Sequence, residues 1–178
     1  PNATTTGNYF VANYPPFSCW TREDAGLAVA RLAEPPQPKT PFGLYVHIPF
    51  CRKRCDFCYF RVYTDKDSRA VHRYIDAVIE EVRMHSQNQA TMGRKPEFVY
   101  FGGGTPSYLS VDQLKKLFDG IQQSLPWDSA REITFECEPG TLQEKKIRAL
   151  KAFGITRLSL GVENFDPSVL GRKNHRRG

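Results

Sequence analysis

Three cysteines within a stretch of eight residues are the part of this sequence that most clearly indicates chemistry. Cys51, Cys55 and Cys58 follow the pattern Cys-x3-Cys-x2-Cys, directly after an apolar segment. Three thiolates on one loop can bind three irons of a [4Fe-4S] cube and leave the fourth iron without a protein ligand. An open iron can bind a substrate or cofactor, whereas a site with four cysteines is closed. The spacing therefore predicts a cluster that also binds a small molecule.

Two other interpretations of the three cysteines stay open at this point. A structural zinc ion normally takes four ligands, and only His47 is near enough in sequence to be the fourth. The three thiols could also be unrelated core residues. The chain has five cysteines, an odd number, which argues against a secreted disulfide framework. We interpret the remaining two, Cys19 and Cys137, as non-ligands.

Apolar segments that alternate with helical ones must position this loop. The predicted strands cover residues 42–48, 98–101, 132–137 and 157–162. Between them, an apolar stripe from Val71 to Val82 predicts a first helix, Ser110 caps a second, and Thr141 with Glu144 forms a possible capping box for a third. The βαβαβαβ order predicts an α/β fold with a parallel sheet.

The length of the chain bears on the kind of α/β fold. A closed eight-stranded barrel usually takes about 250 residues, and this chain has 178. We predict βα units of a partial TIM-type barrel, apparently truncated after the fourth strand, and a small open sheet is the alternative. Residues 42–178 are the predicted barrel core. Residues 1–41, which are rich in proline and aromatic side chains, are predicted to form an arm and linker.

Composition excludes several classes of function. The net charge is +6, from 25 Lys and Arg against 19 Asp and Glu, and no nucleic-acid motif accompanies it. No apolar run approaches the roughly 20 residues that span a bilayer, and no secretory signal is visible. The sequence thus predicts a cytoplasmic protein with no nucleic-acid partner and no membrane span.

Further motifs carry a resemblance to a known family. They are Tyr45-Val-His-Ile-Pro-Phe-Cys51, the aromatic Phe57 before the third cysteine, Gly102-Gly-Gly-Thr-Pro106, Glu132-Ile-Thr-Phe-Glu136 and Arg157-Leu-Ser-Leu-Gly-Val162. In this order and spacing they resemble the radical S-adenosylmethionine (SAM) superfamily, and within it the oxygen-independent coproporphyrinogen III oxidase family. Related haem chaperones, methyltransferases and cyclopropanases share these motifs.

The resemblance implies both cofactors and their ligands. Cys51, Cys55 and Cys58 would hold a [4Fe-4S] cluster, and SAM would bind the open iron and be cleaved reductively to a 5′-deoxyadenosyl radical. The residues implied in SAM binding are Tyr45, Phe57, Gly103, Gly104, Thr105, Glu136 and Glu163. Glu163 stands where relatives usually have Gln. For the arginine that would pair with the SAM carboxylate, Arg172 and Arg176 are both candidates, and the ungapped register falls on His175.

The resemblance also implies a function and partners. The expected enzyme is a radical SAM oxidoreductase of porphyrin and haem metabolism that carries out the anaerobic oxidative decarboxylation of coproporphyrinogen III. A haem chaperone on the same scaffold is the alternative, as is a methyltransferase or cyclopropanase. The substrate would be a porphyrinogen or another flat unsaturated molecule. An electron donor such as flavodoxin or ferredoxin is the expected protein partner. The basic run Arg52–Arg54 could bind that donor or balance the anionic cluster, and a solvated loop is the alternative.

Overall fold

Four parallel strands form one sheet in the order β1-β2-β3-β4. The structure is a computed structural model that describes residues 19–37, 39–56, 58 and 60–168. The strands are β1 (Gly43–Ile48), β2 (Phe98–Gly103), β3 (Glu132–Cys137) and β4 (Arg157–Leu160). The helices are α1 (Arg22–Leu32), α2 (Ser68–Ser86), α3 (Val111–Ser124) and α4 (Glu144–Ala152). The predicted parallel α/β arrangement is confirmed.

Side-chain caps explain where two of the connecting helices begin. Asp67 accepts a hydrogen bond from the backbone N–H of Ala70 at 2.7 Å, which satisfies one of the free donors at the start of α2. Ser110 and Gln113 form a reciprocal capping box that starts α3. None of the described helices is both long enough and apolar enough to cross a membrane.

The predicted capping box of α4 is wrong. Helix α4 begins after Gln143, whose side chain makes no capping hydrogen bond. Thr141 lies instead in a short 3-10 turn, Pro139–Thr141, and its hydroxyl donates to the Glu138 carbonyl at 2.7 Å. The turn thus uses the threonine that the pattern had placed at the helix terminus.

One face of the sheet is covered by helices and forms the core. Phe118 of α3 contacts the ring of Phe101 with a centroid distance of 4.8 Å and that of Phe153 at 5.2 Å. Burial of each such side chain contributes about 1.5–3 kcal/mol. The strand residues buried on this face are Val46, Ile48, Val99, Phe101, Ile133, Phe135 and Cys137.

The opposite face of the sheet carries polar and aromatic side chains. Because successive side chains of a strand alternate between faces, residues level with one another in the parallel register share a face. Tyr45 is level with Tyr100, His47 with Gly102, and Glu136 with Ser159. The carboxyl ends of all four strands meet at one edge, where ligands bind in α/β proteins.

Candidate functional site

A cavity of about 590 Å³ lies at the carboxyl ends of the strands. Its volume is typical of a small-molecule site. The described residues that line it include Cys51, Lys53, Arg54, Cys55, Cys58, Gly103, Gly104, Thr105, Glu136, Cys137, Glu138, Ser159, Gly161 and Glu163. The cavity therefore brings together the cysteine loop, the glycine turn after β2, the end of β3 and the segment after β4.

The cysteine loop is anchored at its base by backbone hydrogen bonds. The Tyr63 N–H donates to the Pro49 carbonyl at 2.8 Å, and the Cys51 N–H donates to the Tyr63 carbonyl at 3.1 Å. Inside the loop, the Cys58 N–H donates to the Cys55 carbonyl at 3.0 Å. All three cysteines are free thiols. These bonds join Tyr63 to Pro49 and Cys51, so the two ends of the loop that carries the three thiols lie side by side.

Burial shapes the acidity of the Cys51 and Cys55 thiols. It raises the pKa of Cys51 and of Cys55 above the ordinary value of a thiol. For Cys51, a hydrogen bond from the Thr105 hydroxyl opposes this effect, whereas nearby charges add to it in both cases. A thiol with a raised pKa stays protonated until a cation such as iron replaces the proton.

The residues of the cavity fit a [4Fe-4S] cluster. The donor set is three thiols, the ligands that iron–sulfur clusters use. Gly104 makes room for them, because a Cβ at this position would stand 3.0 Å from the Cys51 sulfur. Cys137 also lines the cavity, but its thiol donates to the Phe135 carbonyl of its own strand at 3.7 Å. That contact supports its interpretation as a non-ligand.

The zinc interpretation finds no support in the geometry. His47 engages its Nδ1 with the Tyr45 hydroxyl at 3.0 Å, and burial lowers its pKa while the charge of Glu136 opposes the shift. His47 is not among the described residues that line the cavity with the cysteines. Within the described ranges, no three His, Cys, Asp or Glu side chains are arranged to hold one metal ion, whereas in a [4Fe-4S] cluster each of the three thiols would bind a different iron.

Two hydrogen bonds hold the Glu136 carboxylate in the cavity. Its Oε1 accepts from the Tyr100 hydroxyl at 2.6 Å, and its Oε2 accepts from the Gly103 N–H at 3.1 Å. Gly103 has a φ of 114°, which only glycine adopts freely, and this turn aims its N–H at the carboxylate. Two contacts from β2 thus fix the orientation of a carboxylate on β3.

The other residues implied in SAM binding have different positions. Tyr45 is 55% exposed on the face of β1 that points away from the helices, and it is not among the described lining of the cavity. Glu163 lines the cavity with a left-handed φ of 62°. Phe57, Arg172 and Arg176 lie outside the described residues, as does His175.

Two contacts of the site were missed by the sequence analysis. They are the Tyr100–Glu136 hydrogen bond and a hydrogen bond from the Thr105 hydroxyl to the Cys51 sulfur at 3.3 Å. Because side chains alternate along a strand, Tyr100 shares a face of the sheet with Gly102, and this alternation could have indicated its position. Nothing in the sequence indicates the direction of the Thr105 hydroxyl.

Comparisons with known proteins identify relatives of this chain. The sequence model of a protein family, the radical SAM superfamily, matches residues 45–178. The haem chaperone HemW of Synechocystis sp. is 36% identical over 141 residues, which are 77% of this chain and 34% of that protein. The oxygen-independent coproporphyrinogen III oxidase of Salmonella typhimurium is 34% identical over 149 residues, which are 83% of this chain and 31% of that protein.

A solved structure shows the same fold. It is that of coproporphyrinogen III oxidase (HemN) from Escherichia coli, described as a radical SAM enzyme. The TM-score is 0.81 with 29% sequence identity, and the match covers 96% of this chain and 38% of that chain. The prediction of radical SAM βα units is therefore confirmed. The chain spans about a third of the length of the curated relatives that it matches.

Proposed function

The chain belongs to the radical SAM superfamily, and from this premise we propose that the whole protein oxidises a porphyrinogen by radical chemistry. Its cofactors are a [4Fe-4S] cluster and SAM. When bound, they supply a one-electron reductive cleavage of the sulfonium and a hydrogen-abstracting group. The observation that carries the proposal is the convergence of three free thiols and an oriented carboxylate on one cavity.

The residues of the cavity have distinct roles in this proposal. Cys51, Cys55 and Cys58 hold the cluster. Glu136, oriented by Tyr100, accepts hydrogen bonds from the polar groups of SAM, because a carboxylate favours a cationic or hydroxyl donor.

The glycine turn and Glu163 complete the proposed SAM site. Gly103, Gly104 and Thr105 would run beside the methionine part of SAM, and the lack of Cβ atoms at the two glycines leaves room for His47 and for the Cys51 sulfur. Glu163 lines the cavity from the segment after β4, where it would accept a hydrogen bond from the ribose of SAM. Tyr45 would bind SAM from β1, on the face of the sheet that it shares with Tyr100.

The proposed substrate is coproporphyrinogen III, which would undergo anaerobic oxidative decarboxylation. Similarity to coproporphyrinogen III oxidases of Salmonella typhimurium and Escherichia coli supports this choice. An acidic electron donor such as flavodoxin or ferredoxin would bind near Arg52, Lys53 and Arg54, which are exposed between the first two cysteines. We place the protein in the cytoplasm, where thiols stay reduced.

A haem carrier is the second candidate function. It is favoured by the 36% identity to the haem chaperone HemW of Synechocystis sp., which is as strong as the similarity to the oxidases. The same thiols and carboxylate would be present in either case. The two functions differ in whether the porphyrin-type ligand is changed chemically or only bound.

The first experiment tests the cofactors. Anaerobic reconstitution of the chain with iron and sulfide is expected to give about four of each per protein. Cys55→Ala removes one of three ligands and is expected to abolish cluster binding. Cys19→Ala is the matched control, since Cys19 is exposed and outside the cavity. Iron content that is unchanged in Cys55→Ala would overturn the cluster assignment.

The second experiment separates the two functions. The whole, reconstituted protein is incubated anaerobically with SAM, dithionite and coproporphyrinogen III, and the products are analysed by mass spectrometry. Loss of carboxyl groups from the substrate with formation of 5′-deoxyadenosine supports the oxidase. Stoichiometric haem binding, without any change in coproporphyrinogen III, supports the carrier instead.

A further inference from the structure

The hydroxyl of Thr105 donates a hydrogen bond to the sulfur of Cys51 at 3.3 Å. Thr105 is only 8% exposed and Cys51 is 9% exposed, so water does not compete freely for either group. In a site of low polarity a hydrogen bond is stronger than in water. The contact joins the glycine turn after β2 to the first of the three cluster cysteines.

The backbone on both sides fixes this contact. The Thr105 N–H donates to the Phe50 carbonyl at 2.8 Å, and the Gly104 N–H donates to the Ile48 carbonyl at 2.8 Å. These bonds hold the turn directly against the chain that carries Cys51. The missing Cβ of Gly104 lets the sulfur approach to this depth. The position of the Thr105 hydroxyl next to the Cys51 sulfur is therefore set by the backbone hydrogen bonds of the turn as well as by the rotamer of the threonine.

Cys58 has a different environment. Its sulfur lies 4.0 Å from the Phe60 carbonyl, an acceptor to which only a protonated thiol can donate. Once iron has replaced the proton, that contact gives no hydrogen bond to the sulfur. The Thr105 hydroxyl, by contrast, is a donor and serves a thiolate better than a thiol.

We propose that Thr105 is a positioning residue whose hydrogen bond to Cys51 raises the reduction potential of the cluster. This inference rests on the proposed function in assigning the cluster to the three cysteines. On reduction the cluster gains one electron from an external reductant, and part of the added negative charge resides on the thiolate sulfurs. A donor to Cys51 stabilises that more negative state, and hydrogen bonds to sulfur are an established determinant of cluster potential. The hydroxyl keeps its proton throughout.

Two substitutions and a matched control test the proposal in the reconstituted chain. Thr105→Val keeps the shape and removes the donor, whereas Thr105→Ser keeps the donor. Thr134→Val makes the same change at a threonine that is 2% exposed and whose hydroxyl bonds to Glu132. The midpoint potential of each cluster is measured by redox titration monitored by electron paramagnetic resonance, and the Fe–S(Cys) bands by resonance Raman spectroscopy in H₂O and D₂O.

We expect the midpoint potential of Thr105→Val to be more negative than that of the unsubstituted chain, with Thr105→Ser and Thr134→Val unchanged. The D₂O shift of one Fe–S(Cys) band should persist in Thr105→Ser and vanish in Thr105→Val. Equal potentials in all four proteins would overturn the inference while leaving the cluster in place. Should Thr105→Val bind no cluster, absence of the D₂O shift in both the unsubstituted chain and Thr105→Ser overturns it. Failure of the unsubstituted chain to bind iron would overturn the proposed function itself, and this inference with it.

Discussion

Tyr100 on β2 donates its hydroxyl to Oε1 of Glu136 on β3 at 2.6 Å, so the carboxylate is held from the neighbouring strand. The Gly103 N–H donates to Oε2 of Glu136 at 3.1 Å. Both donors belong to the strand that ends in the glycine turn. The orientation of the carboxylate in the cavity is therefore set before any ligand arrives, which is what a preorganised binding site requires.

Substitution of Tyr100 by Phe should weaken SAM binding and leave the cluster intact. Without the hydroxyl, Glu136 loses one of its two positioning contacts, and we expect a cost of about 1 kcal/mol, or about fivefold in Kd. Isothermal titration calorimetry on the reconstituted chain measures the change. Tyr74→Phe is the control, because its hydroxyl donates to the His47 carbonyl and not to Glu136. Equal affinities in the two variants would contradict a specific role.

Replacement of Glu136 by Ala should have a larger effect than loss of Tyr100. It removes the charged acceptor itself, and a hydrogen bond to a charged group contributes on the order of 1.5–3 kcal/mol. SAM affinity should therefore fall about tenfold or more. Glu132→Ala is the control on the same strand. Its carboxylate forms an ion pair of 2.9 Å with Arg157, and Glu132 is not among the described residues that line the cavity. An unchanged Kd in Glu136→Ala would show that the Glu136 side chain does not contact SAM.

The ionisation of Tyr100 should report its contact with Glu136. Burial, together with the hydrogen bond and charge of Glu136, raises the pKa of Tyr100 to about 12, against about 10 for an ordinary tyrosine. In Glu136→Gln the charge is gone, so the pKa of Tyr100 should fall toward the ordinary value. A spectrophotometric titration of tyrosinate absorbance measures this. A titration curve identical to that of the unsubstituted chain would exclude the coupling.

The same shift predicts how stability depends on pH. The unfolded chain releases the Tyr100 proton near the ordinary pKa, whereas the folded chain retains it to about pH 12. The unfolded state therefore binds fewer protons between these values, and the free energy of unfolding should decrease as pH rises through them. Tyr74, whose pKa burial also raises to about 12, contributes in the same direction. Urea denaturation should show a smaller decrease in Glu136→Gln.

Replacement of Gly103 by Ala should destabilise the fold. A Cβ there would lie 2.6 Å from Cε1 of His47, and a φ of 114° is strained for any residue with a side chain. We expect a loss of about 1–3 kcal/mol in the free energy of unfolding. Gly26→Ala is the control, because no atom lies within 4 Å of its added Cβ in the exposed helix α1. Equal melting temperatures for the two variants would contradict this prediction.

The sequence was sufficient for the architecture because the strong signals are local. The sequence predicts β3 with the observed ends, Glu132–Cys137, because polar and apolar side chains alternate along this segment. Strand β2 was predicted to end at Phe101 but continues to Gly103. The glycines there lack the side chains that make a strand pattern visible, yet their backbone still pairs with β1.

The contacts within the site could be predicted only in part. Cys51, Cys55 and Cys58 are recognisable from spacing alone, because they lie on one loop. The pairing of Tyr100 with Glu136 depends on the register between two strands that are 36 residues apart at this point. Alternation along each strand indicates the face on which a side chain lies, but which residues of the two strands come within hydrogen-bond distance is fixed only when the strands pair in the sheet.

The backbone bonds from Gly104 to Ile48 and from Thr105 to Phe50 have a thermodynamic consequence. They join the cysteine loop and the glycine turn, so a ligand that orders one of these segments also lowers the conformational entropy that the other has left to lose. Iron loading should therefore increase the affinity for SAM, and linkage requires SAM to increase the retention of iron by the same factor. The backbone link would then add positive cooperativity between the two cofactors to whatever coupling arises where SAM binds the open iron.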